Sequence, residues 1–107
     1  MNIGPTEYLD GGDVVFSTYK ESGGTAIVII DPNTGLSLAV ATVNLAPYGA
    51  PEIGPEQVWL KGWGENKGLP EALERAGIVR RTGETYMTGF VAAELADILT
   101  REERKAA

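Results

Sequence analysis

Thr25-Ala26-Ile27-Val28-Ile29-Ile30, followed at once by Asp31-Pro32-Asn33-Thr34-Gly35, is the stretch that decides the fold. Six β-prone residues with hardly a polar atom among them predict a central strand covered on both faces. The next five predict a tight turn: the Asp side chain accepts bonds from the amides that follow, Pro presets the bend, and Gly closes it. Residues 36–45 come next. Leu36, Leu38, Val40, Thr42 and Asn44 alternate there against Ser37, Ala39, Ala41, Val43 and Leu45, the period of a strand. Upstream, residues 13–20 are rich in Val, Phe, Thr and Tyr and end on Glu21-Ser22-Gly23-Gly24, a strand and then a turn. Three strands joined by short turns predict an antiparallel meander.

Outward from this meander the signals change. Residues 1–12 are polar, end in Gly11-Gly12 and read as a loosely ordered lead-in. Residues 46–55 hold Pro47, Gly49, Pro51, Gly54 and Pro55 and form a stiff loop. Residues 57–61 make a short strand with Val58 and Trp59 inside it. A helix is predicted over 70–76, because Pro70 suits its first position, Glu71 its positive end and Gly77 its stop. Leu69, Ala72, Leu73 and Ala76 supply its buried stripe. Residues 85–91 form a strand weakened by Gly89. From about Ala93 the chain reads as a C-terminal helix: Val91, Leu95, Ile98 and Leu99 share a stripe, and Asp97 and Arg101 are an i, i+4 pair. Thr100-Arg101-Glu102-Glu103 has a capping-box pattern lying in or at the end of that helix. Residues 92–100 admit a strand as well. The predicted class is α+β: one antiparallel sheet of four or five strands, one short helix and a C-terminal helix, in a single domain over 1–107.

Composition excludes more than it suggests. The chain has no Cys and no His. That removes disulfides, thiolate zinc sites, iron–sulfur clusters, a Ser-His-Asp triad and the usual general base near neutral pH, so no enzyme and no cofactor is expected. No nucleotide-binding glycine fingerprint is present. Asp31-Pro32-Asn33 lacks the rest of a calcium loop. No apolar run approaches the roughly 20 residues that span a bilayer, and the start is not a secretory signal. The expected setting is therefore cytoplasmic, with no membrane partner.

Net charge is −6, which disfavours direct nucleic-acid binding. All of it sits in residues 1–56, where seven acids face the single base Lys20; residues 57–107 balance. An acidic face built on Asp10, Asp13, Glu21 and Asp31 would attract a basic partner, or would simply keep the protein soluble. Trp63 lies between two glycines in an irregular segment, where folding alone gives little reason for an indole. It joins the candidate contact residues, with Glu65 and Asn66 as polar neighbours. Trp59, in a strand, is expected in the core. Arg80, Arg81 and Thr82 offer an alternative site, one that holds a phosphate or carboxylate.

Gly24-Thr25-Ala26-Ile27, Thr34-Gly35, Ala41-Thr42-Val43-Asn44-Leu45, Glu65-Asn66-Lys67-Gly68, Gly77-Ile78, Thr82-Gly83-Glu84-Thr85 and Thr88-Gly89-Phe90 follow one another in an order that resembles a family of small proteins found on bacterial plasmids, conjugative elements and phages. That resemblance carries no catalytic residue or cofactor. It implies a mobile-element accessory protein, and many small acidic proteins of that setting block host defence. The family's C-terminal part is strand-like after the Gly-Phe pair, whereas residues from Ala92 here read as helical. The expected function is thus a non-enzymatic inhibitor of a defence system such as CRISPR or restriction, bound to a basic, nucleic-acid-handling host protein. The alternatives are a binder that sequesters a small anionic ligand or nucleotide, with the arginines near a homodimer interface, and a phage structural or assembly protein.

Overall fold

The computed structural model describes residues 1–20 and 23–99. Glu21, Ser22 and the proposed cap at Thr100 lie outside them.

Thr25–Ile30 is an inner strand of the first sheet, but it is not covered on both faces as expected: Ile27 and Ile29 are fully buried, whereas Val28 is half-buried between exposed Val15 and Val40. The sheet runs in sequence order: β1 (Asn2–Ile3), β2 (Gly12–Thr18), β3 (Thr25–Ile30) and β4 (Ser37–Val40), all antiparallel. The turn after β3 closes as its residues dictate. Asn33 N donates to Asp31 Oδ1 at 2.8 Å, and Gly35 N donates to the Asp31 carbonyl at 2.7 Å. Residues 1–12, expected to be loose, are tied down. Asn2 and Ile3 pair with Asp13 and Gly12, and Ile3 is buried in the core.

The second half corrects the expectation of one sheet. A separate three-stranded sheet forms from β5 (Gln57–Leu60), β6 (Val79–Thr88) and β7 (Val91–Ile98) in the order β5-β7-β6. The C-terminal helix predicted from Ala93 is therefore a strand, and a central one. Its two faces are both covered: Ala93 and Leu95 pack with Trp59 and Leu45, while Ala96 packs with Val58, Leu60 and Val79. A strand covered on both sides needs no polar alternation, so its pattern imitates a helix stripe. Good helix formers are overridden here by tertiary pairing.

The helix α1 (Leu69–Arg75) is the one predicted around 70–76. It buries Leu69, Ala72 and Leu73. Its end is a Schellman closure: Gly77 N donates to the Glu74 carbonyl and Ile78 N to the Leu73 carbonyl, both at 3.0 Å. This requires the left-handed φ of +75° that Gly77 adopts. Ile78 and Leu73 then meet in the core.

The chain passes from one sheet to the other at Ala41. Its N–H donates to the Ile27 carbonyl in β3, while its carbonyl accepts from Lys61 N beyond β5, both at 2.8 Å. Thr42 bridges to Leu60. With the Ala41 carbonyl turned away, the Ile27 N–H is met by the Thr42 hydroxyl at 3.3 Å, and that hydroxyl also bonds the Tyr19 hydroxyl at 2.7 Å. The main core lies between the sheets and α1; a smaller cluster lies on the far face of the second sheet. Among the described residues, no helix is long and apolar enough to cross a membrane.

Candidate functional site

The antiparallel register places Asp13 opposite Ile30, so the start of β2 and the end of β3 share one end of the first sheet. Asp31 follows Ile30 directly, and Asp10 lies just before β2. Three acids separated by up to 21 positions in sequence are thus carried to one end. Gly12 makes the close approach feasible. A Cβ there would sit 2.6 Å from Ile29 Cγ2 and 2.9 Å from the Ile30 carbonyl oxygen.

The lead-in reaches the same place. Thr6 closes a tight turn by accepting from Leu9 N at 3.1 Å and donating its own N–H to the Leu9 carbonyl at 2.8 Å. Leu9 then packs on the core. Tyr8 and Leu9 line a recess of about 280 Å³ with Leu38, Ala39, Glu65 and Asn66. Its lining is mixed: exposed Tyr8 and Leu38 stand beside Glu65 and Asn66, and exposed Leu36 lies in the adjoining turn. Asp10 and Glu65 are exposed, and Asp13 and Asp31 are half-buried. Among the described residues none of these four carboxylates forms an ion pair, whereas neighbouring Glu7 is matched by Lys67 at 3.5 Å. Of these four acids Glu65 lines the recess, while Asp10, Asp13 and Asp31 stand at the end of the first sheet that Leu38 adjoins through Gly12.

The other sequence candidates fall elsewhere. Glu21 is outside the described residues. Asn66 is buried rather than a surface contact; its Nδ2 donates to the Val40 carbonyl at 2.8 Å, which fixes the floor of the recess to β4. Trp63 is half-buried and packs against the cluster of Leu45, Trp59, Ala93 and Leu95, and it does not line the recess. Lys61 Nζ lies 5.9 Å from its ring. The indole therefore covers the smaller cluster. Trp59 is buried, its ring 5.9 Å from that of Tyr86.

The arginines do not form one anion site. Arg80 stands opposite Asp97 and pairs with it at 3.4 Å. Arg81, the next residue of the strand, turns to the opposite face. It meets Glu94 at 3.3 Å, Glu74 at 3.8 Å and Glu71 at 4.0 Å, so acids surround it. The Thr82 hydroxyl donates to the Leu95 carbonyl at 3.0 Å. A larger cavity of about 580 Å³ lies between the β2–β3 hairpin and the stiff loop, lined among others by Tyr19, Asn44, Ile53, Gln57 and Trp59. Neither arginine lines it. Two of its polar side chains are engaged, Tyr19 with Thr42, and Gln57 with Gly54 N and Asp97.

The residues that sequence reasoning missed are Tyr8, Leu36 and Leu38. A signal existed for Leu36, a large apolar residue directly after a turn glycine. For Tyr8 nothing local distinguished a tether from a contact. Comparison of the chain with family models, with curated proteins and with solved structures finds no match.

Proposed function

We propose that the protein is a non-enzymatic binding protein that grips a basic protein surface with the recess and the acids beside it. The observation that carries this reading is that Glu65 lines a recess with exposed Tyr8 and Leu38, that Leu38 adjoins the sheet end where Asp10, Asp13 and Asp31 gather, and that none of these acids forms an ion pair among the described residues. Negative charge on the rim steers a cationic partner and sets orientation, and the apolar side chains supply the contact area that holds it. In the setting that the sequence resemblance suggests, such a partner is a nucleic-acid-handling component of a host defence system, and occupation of its basic channel inhibits it. The absence of His and Cys from the whole chain accords with a role that needs no chemistry.

The test is inhibition and pull-down of CRISPR and restriction effectors by the wild-type protein and by a variant with Asp10→Lys, Asp13→Lys and Glu65→Lys, which leaves Asp31 in place because its Oδ1 holds the turn through Asn33 N. The wild type should bind with an affinity that falls steeply as salt rises, since exposed charges are screened beyond about 8 Å at physiological ionic strength. The charge-reversed variant should lose binding and keep its thermal unfolding. Undiminished inhibition by that variant would rule out the acidic recess as the contact.

A further inference from the structure

We propose that two copies of this chain associate edge to edge through the outer side of β6 at residues 85–88, with Met87 and Phe90 packing at the junction. β6 is the terminal strand of the second sheet, with β7 on its inner side only. Its first half is closed to a partner. Arg81 N donates to the Glu74 carboxylate at 3.1 Å, the ladder is irregular between Arg81 and Thr85, and Glu84 N turns to the Thr82 hydroxyl at 3.1 Å. Beyond Thr85 the ladder is regular again, through Tyr86, Met87 and Thr88. Among the described residues, nothing outside β7 accepts from the amides of 85–88.

Open edges are ordinarily blunted by charge, by proline or by shortness. This one has a bulge at its start, and the short stretch beyond it carries neither charge nor proline. Residues 85–93 read Thr-Tyr-Met-Thr-Gly-Phe-Val-Ala-Ala, nine in a row without a charge. Met87 is 61% exposed and Phe90 is fully exposed at the hairpin tip. Neither side chain contributes to either hydrophobic cluster.

Charge permits a second copy as the occupant. Each copy carries −6, all of it in residues 1–56. Two copies repel wherever those halves meet, but the edge of β6 belongs to the electrically balanced half and is itself neutral. Twofold antiparallel pairing of a strand with its own copy also places every outward amide opposite an outward carbonyl of the same sequence. Four residues extend only about 14 Å, so the ladder is short and the dimer reversible.

Sedimentation equilibrium of the full chain from about 5 to about 500 µM tests the proposal, a range that spans weak reversible association. The mass should rise from 11.4 kDa toward twice that value as concentration rises. The double variant Met87→Lys, Phe90→Lys should stay at the monomer mass throughout, with unchanged circular dichroism and melting, since both side chains are exposed. Amide exchange at 85–88 should slow with concentration in the wild type alone. A wild type that remains monomeric at the highest concentration overturns the proposal, and so does a double variant that dimerises like the wild type. The recess lies on the first sheet, so either result leaves the proposed function standing or falling on its own test.

Discussion

Replacing Thr42 by Val removes one oxygen and nearly preserves volume, which makes it a clean probe of the junction between the sheets. Thr42 is buried, and its hydroxyl serves two groups: the Ile27 N–H at 3.3 Å and the Tyr19 hydroxyl at 2.7 Å. In Thr42→Val the Ile27 amide sits in a residue with no exposure and has no acceptor, because the Ala41 carbonyl remains committed to Lys61. A buried donor left unpaired costs about 1–3 kcal/mol. The Tyr19 hydroxyl is half-buried and recovers part of its loss from water, so it adds about 0.5–1 kcal/mol. The expected destabilisation is about 2–4 kcal/mol, and a domain of this size loses roughly 4–8 °C of Tm per kcal/mol. Urea unfolding followed by tryptophan fluorescence measures it, since buried Trp59 belongs to the neighbouring cluster. Thr42→Ser keeps the hydroxyl and should cost less than Thr42→Val. If Thr42→Val falls within about 0.5 kcal/mol of wild type, or if Thr42→Ser is the more damaging change, the hydroxyl does not hold the junction and the reasoning fails.

Two further outcomes are expected. Trp59→Ala should destabilise by about 3–5 kcal/mol in urea titration, the range for a buried aromatic, and half-buried Trp63→Ala by clearly less; a larger loss at position 63 would contradict the packing order. Asn66→Ala should lower stability by about 1–3 kcal/mol, through the bond its Nδ2 donates to the Val40 carbonyl. It should also raise amide exchange in β4, and unchanged exchange there would show that Asn66 does not anchor the recess floor.

The elements legible in the sequence are those whose causes are local. Thr25–Ile30 announces an inner strand by composition, although only the face carrying Ile27 and Ile29 is fully buried and Val28 stands between exposed Val15 and Val40; Asp31 announces its turn because the acceptor and the donors lie within four residues. The helix Leu69–Arg75 is legible at both ends, since Pro70 and Gly77 act through their own φ angles. The acids at 10, 13 and 31 could be singled out by charge, but their shared location could not. It arises from the pairing of Asp13 with Ile30, a contact across 17 positions. The pairing of Asn66 with Val40 spans 26, and no property of Asn66 alone separates a buried donor from a solvated one.

By itself the sequence determined β2 and β3, the turn at 31–35 with the start of the strand after it, which ends at Val40 rather than residue 45, the short helix and the sign and location of the net charge. Each follows from a residue's backbone preference or from a count. Only the tertiary structure decided that the chain splits into two sheets at Ala41, that residues 91–98 form a central strand, and that Tyr8 and Leu38 meet Glu65 in a recess. The physical reason is the same in each case. A strand is completed by hydrogen bonds to distant partners, so Glu94 and Ala96 adopt the extended form against their own preference once β5 and β6 stand on either side of them, and Ala92 and Ala93 once β6 stands beside them.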